Sequence, residues 1–148
     1  MNNLFSIAIV VSRFNQDITM ALKDGALDEL KQIGISSDRV KIYEVPGAVE
    51  IPLIAQQLAK KQQVKAIIAL GAVIRGETDH YHYVCEQVSQ GCQRVSLDYD
   101  LPVIFGLLTT NTEEQAWDRI GGKEGHKGRE AVTCAMEMIG LMNKLNEG

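Results

Sequence analysis

His80 follows a short segment whose residue types suit phosphate binding and proton transfer. Gly76, Glu77 and Thr78 lie where a buried apolar run gives way to a helical pattern. Free backbone N–H groups and the helix dipole make such a junction attractive to an anion such as phosphate. An imidazole titrates near neutral pH and suits proton shuttling. The segment also fits an ordinary helix cap, in which Thr78 or Asp79 accepts from the backbone.

Other residues of chemical interest also follow apolar runs. Phe14 could stack on a flat heterocycle, or its ring could lie under the first helix. Glu50 lies near the start of a helix, where a carboxylate favours the dipole, and it could also accept hydrogen bonds from a polyol. A cluster of cations around a glycine-rich turn is either solvated or part of an anion site (Arg119, Lys123, Lys127).

The histidines and cysteines do not have the spacing of a metal site. His82 lies two residues after His80, so on a helix the two side chains point in different directions. His126 lies in the glycine-rich turn and is predicted to be a loop residue. The three cysteines form neither a disulfide framework nor a zinc pattern, and we expect buried thiols in a reducing cytosol.

Composition narrows the class of protein. The chain has 148 residues, which suits one domain, and its formal net charge of -4 argues against binding to nucleic acid or anionic membranes. No apolar run approaches the roughly 20 residues that span a bilayer, and the first residues lack the features of a signal peptide. These features predict a cytoplasmic protein.

Short apolar runs alternate with helical patterns along the chain. Residues 6–12, 40–45, 66–73 and 103–108 predict strands, and residues 17–33 predict a helix that Gly34 ends. Another helix runs from the Pro46-Gly47 break to about residue 61. A further helix has one apolar face (Tyr81, Val84, Val88, Cys92, Val95). Residues 112–115 resemble a capping box that opens a helix.

A glycine-rich turn over residues 121–128 precedes the last helix, whose apolar stripe should face the core (Ala131, Ala135, Met138, Met142, Leu145). Strands that alternate with helices imply parallel pairing and right-handed crossovers. The expected fold is therefore a three-layer α/β/α structure with a four-stranded parallel sheet and flavodoxin-like winding. Because ligands bind beyond the carboxyl ends of such strands, the segments at 13–15, 45–50, 74–80 and 109–111 should meet at one edge.

Five sequence blocks resemble the lumazine synthase family. They are RFN at 13–15, VPGAVEIP at 45–52, GAVIRGETDH at 71–80, PVIFGLLT at 102–109 and GHKGREA at 125–131. They occur in the order and spacing of the family and extend over nearly the whole chain. The resemblance implies condensation of 5-amino-6-(D-ribitylamino)uracil with 3,4-dihydroxy-2-butanone 4-phosphate to 6,7-dimethyl-8-ribityllumazine, inorganic phosphate and water, without a metal or organic cofactor.

The resemblance also implies roles by position. Phe14 would stack on the pyrimidine, whose polar edge would bond to backbone near the end of the third strand (Ala72, Val73, Ile74). The segment after the second strand would hold the ribityl chain (Ala48, Val49, Glu50), and the loop before the helix would bind the phosphate (Gly76, Glu77, Thr78). His80 would relay protons. A neighbouring subunit would supply Phe105 over the ring and two cations to the phosphate pocket (Arg119, Lys127).

The family forms pentamers, which in some members stack into a hollow 60-subunit shell, so the resemblance implies a homopentamer, with riboflavin synthase as a candidate partner. Three positions depart from the family pattern. Glu77 replaces a small residue and should point to solvent, His82 replaces an acid, and His126 replaces a common Asn.

Two other readings remain at this stage. A flavin or lumazine carrier on the same fold would keep Phe14 and Glu50 but would not turn over, and it would have no need of a phosphate site. A phospho-acceptor receiver domain needs paired acids after the first strand to hold magnesium, and this chain has Val11-Ser12-Arg13 there.

Overall fold

A four-stranded parallel sheet lies between two layers of helices in the computed structural model, which describes residues 6–147. The strands are β1 (Ile7–Ser12), β2 (Val40–Val45), β3 (Ala66–Ile74) and β4 (Val103–Thr110). Their order in the sheet is β2-β1-β3-β4, and every neighbouring pair is parallel. The predicted α/β class, the three layers and the flavodoxin-like winding are confirmed.

Burial explains why the central strands are nearly continuous apolar runs. All six residues of β1 are buried, as are the first eight of β3, because helices cover both faces of the sheet. The edge strand β2 has only Val45 buried, and Ile42 and Tyr43 are 41% and 38% exposed. β3 ends one residue after the predicted run 66–73, and β4 ends two residues after the predicted run 103–108. Their last residues, Ile74 and Thr110, pair with each other at the carboxyl edge of the sheet.

The helices are α1 (Gln16–Gln32), α2 (Ile51–Lys61), α3 (His80–Tyr99), α4 (Glu113–Asp118) and α5 (Lys127–Glu147). α1 and α5 pack on one face of the sheet, and α2 and α3 pack on the other. The predicted capping box is confirmed, because Thr112 Oγ1 accepts from Gln115 N and the Gln115 side chain accepts from Thr112 N. In residues 6–147, none of the helices combines the length and apolar character needed to cross a membrane.

Three expectations about the glycine-rich turn, the last helix and the cysteines were wrong. The glycine-rich turn contains a small antiparallel hairpin, β5 (Ile120–Gly122) and β6 (Gly125–His126), so His126 belongs to a strand. Leu145 is 71% exposed because it lies in the final turn of α5, away from the core. Of the cysteines, only Cys92 is buried; Cys85 is half-buried and Cys134 is exposed on α5.

Candidate active site at the carboxyl edge of the sheet

A cavity of about 380 Å³ opens at the carboxyl ends of β1 and β3. It is called the first cavity here, and its lining includes most of the predicted substrate-binding residues and His80 (Phe14, Ala48, Val49, Ala72, Val73, Ile74, Gly76, Thr78, His80). Gly47, Tyr81 and Val84 complete the lining. Loops that are distant in the sequence therefore meet around one largely apolar space, as the order of the strands requires.

Phe14 presents its ring to the first cavity because the loop after β1 is tied down on both sides. Its backbone N donates to Pro46 O (3.2 Å), and Arg13 N donates to Val45 O (2.8 Å). Asn15 adopts a left-handed conformation (φ 62°), and its Nδ2 donates to Ala72 O (3.1 Å). The ring is 70% exposed, so the alternative in which it lies under α1 is wrong.

Asn15 was not predicted from the sequence as a contributor to the site. Its side chain joins the loop after β1 to the end of β3 across 57 positions of sequence. An asparagine in a strand-to-helix junction is a signal for a left-handed residue, because Asn tolerates positive φ better than most residues. The sequence alone does not indicate which carbonyl its amide would reach.

The start of α3 has the features of an anion site. His80 N donates to Thr78 Oγ1 (3.2 Å), whereas Asp79 makes no side-chain cap hydrogen bond. The Thr78 hydroxyl therefore has both a capping role and a free proton to donate. A Cβ at Gly76 would meet no atom within 4 Å, so the loop is open to an incoming group.

Two predicted binding residues lie at the margin of this arrangement. Glu77 is exposed and does not line the first cavity, in agreement with the expectation that its carboxylate points to solvent. Glu50 is also exposed, and its backbone N donates to Gly47 O (3.2 Å). Its carboxylate Oε1 lies 3.1 Å from where a Cβ on Gly47 would be, beside a residue that lines the cavity.

The predicted cations lie in a different place. Arg119 and Lys127 line a second cavity of about 480 Å³ beyond the end of β4, together with several polar residues (Thr109, Thr110, Asn111, Gln115, Asp118, Glu124, Glu130). Lys127 N donates to Arg119 O (2.7 Å), which holds the two residues together. Phe105 packs against the core on the α2 and α3 side and lines neither cavity. Within one chain, these three residues are therefore not part of the first cavity.

Tyr81 is the side chain that the two cavities share. Burial raises the pKa of its phenol above the ordinary value, with a further contribution from Cys85, and hydrogen bonding to Thr109 opposes the rise. The phenol is therefore uncharged at neutral pH. Burial likewise raises the pKa of the Cys85 thiol.

Arg75 is surrounded by a group of contacts that sequence reasoning missed. Its Nε donates to Asn111 Oδ1 (3.0 Å), and its Nη2 lies 3.0 Å from His82 Nε2. Its Cζ lies 4.8 Å from the centroid of the Tyr81 ring, within the range of a cation–π interaction. The sequence signal was an arginine directly after a buried strand, but its partners lie up to 36 positions away.

His126 caps the start of α5. Its Nδ1 accepts from Gly128 N (3.2 Å) and from Arg129 N (3.4 Å), so in this arrangement Nδ1 carries no proton. Burial lowers the pKa of the imidazole, and the nearby Arg129 guanidinium lowers it further. The imidazole of His126 thus caps the start of α5 immediately beside Lys127.

Comparison with known proteins is consistent with this geometry. A family model described as 6,7-dimethyl-8-ribityllumazine synthase matches residues 5–143. A relative of that name from Coxiella burnetii (strain RSA 493 / Nine Mile phase I) is 53% identical over 141 residues, which is 95% of this chain and 93% of the relative. Another, from Protochlamydia amoebophila (strain UWE25), is 54% identical over 140 residues, which is 95% of this chain and 81% of the relative.

The chain belongs to the 6,7-dimethyl-8-ribityllumazine synthase family. The resemblance drawn from the five sequence blocks is therefore confirmed, and the receiver-domain reading is wrong. The roles of individual residues in the lumazine synthase family pattern stay predictions for this chain. Among residues 6–147, no three His, Cys, Asp or Glu side chains are grouped so that they could hold a metal ion.

Proposed function

We propose that this member of the family is the transferase that condenses 5-amino-6-(D-ribitylamino)uracil with 3,4-dihydroxy-2-butanone 4-phosphate. The products are 6,7-dimethyl-8-ribityllumazine, inorganic phosphate and water, in the penultimate step of riboflavin biosynthesis. The observation that carries the proposal is the meeting of Phe14, Thr78 and His80 around the first cavity. A stacking ring, an open helix N-terminus and a proton carrier are the groups that this condensation requires.

Each step has a group suited to it. The pyrimidine stacks on Phe14, and backbone atoms of the β3 end bond to its polar edge. The segment that contains Ala48, Val49 and Glu50 holds the ribityl chain. The phosphate of the second substrate lies at the start of α3, where Gly76 leaves space and Thr78 donates. Fixing two substrates in one geometry can lower the barrier by up to roughly 7–11 kcal/mol.

His80 relays protons in this scheme. The 5-amino group attacks the ketone, and loss of water gives an imine. Inorganic phosphate is then eliminated, and the ribitylamino nitrogen attacks the remaining carbonyl carbon, which closes the ring with loss of a second water. Each of these steps needs a proton moved between nitrogen, carbon and oxygen. A positioned acid–base group typically contributes about 100- to 10,000-fold. His80 is exposed at the cavity, so its imidazole is accessible to the reacting atoms.

The proposal includes a homopentamer in the cytoplasm, with each site completed by a neighbour that brings Phe105 over the ring and Arg119 and Lys127 to the phosphate. It is supported by the location of both cations in the second cavity, apart from the first cavity of their own chain. It is also supported by exposed apolar side chains on α2 and α3 (Leu53 63%, Tyr83 68%, Leu97 68%). These side chains are suited to burial between subunits.

The direct test is to mix both substrates with the protein in the presence of a chelator and to follow lumazine fluorescence. We expect product without added metal, and we expect His80→Ala to lower kcat by at least about 100-fold while Gln87→Ala, exposed on the same helix, leaves it unchanged. A folded protein that binds lumazine but forms no product would be the non-catalytic carrier instead.

Light scattering on the same sample separates a pentamer from a larger shell. Mixed assembly tests the shared site. Pentamers made from His80→Ala chains and Arg119→Ala chains together should contain some sites with both residues intact, so activity should reappear on co-refolding. If the mixture is no more active than its two parents, the two residues belong to the same chain's site and the proposed arrangement is wrong.

A further inference from the structure

Arg75 links the ends of two strands to the start of α3. Its backbone N donates to Thr110 O (2.9 Å), which continues the β3–β4 ladder by one bond. Its Nε donates to Asn111 Oδ1 (3.0 Å), just past β4. Asn111 is itself held, because its N donates to Gln115 Oε1 (2.8 Å) on α4. One end of the arginine is therefore fixed to a rigid part of the fold.

The other contacts of Arg75 are with the residues that directly follow His80. The guanidinium lies over the Tyr81 ring, and Nη2 is 3.0 Å from His82 Nε2. A guanidinium has donors and no acceptor, so His82 accepts and its own proton is on Nδ1. The rings of Tyr81 and His82 meet edge to face at 5.6 Å between centroids. Tyr81 and His82, the two residues that follow His80, are thus both in contact with the Arg75 side chain.

The start of α3 is only partly buried. The fully buried residues of the helix begin only at Val88, two turns after His80. Asp79 provides no side-chain cap, and the backbone bond from His80 to Thr78 is local to the same turn. Tyr81 and Val84 are half-buried, and the residues from Arg75 to His80 are exposed. Arg75 therefore holds this turn together with Tyr81 and Val84, which pack against the core on the α2 and α3 side, and with the hydrogen bond between Tyr81 and Thr109.

We propose that Arg75 is a positioning residue, which fixes the first turn of α3 against the ends of β3 and β4 and so sets the place of the His80 imidazole. This inference rests on the proposed function of His80. Arg75 lines neither the first nor the second cavity, so it acts through Tyr81 and His82 and not by contact with substrate. A small displacement of a catalytic group costs on the order of 100-fold in rate, which is the scale on which such a residue acts.

The test compares Arg75→Met with Arg94→Met in steady-state assays. Arg75→Met keeps the length of the stem but removes the donors and the charge. Arg94, on α3, has an exposed pair with Asp98 and provides the control. We expect Arg75→Met to lower kcat about 10- to 100-fold with KM changed less than about threefold, and Arg94→Met to change neither. Equal kcat for the two variants would overturn the proposal.

A double variant separates positioning from a general loss of structure. If Arg75 acts through His80, Arg75→Met should cost nothing further in a His80→Ala background, because groups that act as a unit are not additive. An equal loss in both backgrounds would overturn the proposal. A rise confined to KM for the phosphorylated substrate would also overturn it, because Arg75 would then bind phosphate itself.

His82 gives a second, milder test should Arg75→Met fail to fold. His82→Gln keeps an acceptor for Nη2, whereas His82→Ala removes it. We expect His82→Ala to lower kcat and His82→Gln to restore most of the loss, and equal rates for the two would contradict the proposal. If the unaltered protein forms no product at all, the proposed function fails, whereas a full rate in Arg75→Met refutes only this inference.

Discussion

The contact between Gly25 and His126 allows a sharp test of how α1 and α5 pack together. Gly25 is buried in the middle of α1, where glycine costs about 1 kcal/mol relative to alanine. A Cβ at this position would overlap Cε1 and Nε2 of the His126 ring and would lie 2.9 Å from Nδ1. Gly25→Ala should therefore destabilise the protein although alanine is the better helix former.

The magnitude follows from three contributions. Overpacking a well-packed site costs about 1–3 kcal/mol. A displaced imidazole also loses its bonds to Gly128 N and Arg129 N, which as a helix cap contribute about 1 kcal/mol. The higher helix propensity of alanine stabilises the variant by about 1 kcal/mol relative to glycine. The net loss is then about 2 kcal/mol, or a fall in Tm of about 4–8 °C for a domain of this size.

Urea unfolding at one fixed protein concentration measures this loss, and Gly140→Ala is the control. A Cβ at the exposed Gly140, in the middle of α5, would meet no atom within 4 Å, so that variant should gain about 1 kcal/mol. Adding His126→Asn to Gly25→Ala should recover at least about 1 kcal/mol, since asparagine is smaller and still caps. A neutral Gly25→Ala, or strictly additive changes, would refute the packing argument.

Three further outcomes follow from the charges and the burial. Burial holds the pKa of His126 below 6.5, so the unfolded chain binds a proton more readily than the folded protein does, and the free energy of unfolding should fall as the pH drops below about 6.5. In urea titrations at several pH values, His126→Asn should make the free energy of unfolding less dependent on pH. The same pH dependence in both proteins would contradict this prediction. Burial raises the pKa of Cys92 to about 11, whereas Cys134 is exposed. A thiol reagent should therefore modify Cys134 in the folded protein and Cys92 only after unfolding, and peptide mass mapping detects which thiol is modified. Rapid labelling of Cys92 in the folded protein would contradict its burial. Arg119→Ala should weaken use of the phosphorylated substrate at least about tenfold, whereas Lys123→Ala, outside both cavities, should not; equal kinetics for the two variants would place the phosphate elsewhere.

The hydrophobic periodicity of the sequence correctly predicted the four strands of the sheet and the main helices, but it predicted where they end less accurately. Continuous apolar runs such as those of β1 and β3 indicate strands covered on both faces, and that pattern is set by burial alone. Leu145 was wrongly placed because a helical stripe indicates which face is apolar but not how far the core extends beneath it. Cys134 was wrongly placed because its burial was expected from the residue type, and it lies off that stripe on the exposed side of α5. The hairpin was missed because its strands are only three and two residues long.

Some features of the candidate site could likewise be predicted from the sequence, and others could not. Strand order alone brings Phe14 and His80 to one edge, so their proximity could be predicted from the pattern of strands and helices. The contacts of Arg75 and the cap at His126 could not, because each depends on side-chain directions at two chain segments whose relative position is fixed only by the packed fold.

Topology also explains why Arg119 and Lys127 lie apart from Phe14 and His80. The chain leaves β1 toward α1 on one face of the sheet and leaves β3 toward α3 on the other, so a crevice opens between these neighbouring strands. Arg119 and Lys127 follow β4, which lies on the far side of β3 and is the opposite edge strand from β2. The first cavity and the second cavity therefore lie on either side of the end of β3 and of Tyr81, and Arg119 and Lys127 of the same chain line only the second. In the proposed pentamer, a neighbouring copy that presents its second cavity to this edge would remove the separation, so we expect catalysis to depend on assembly.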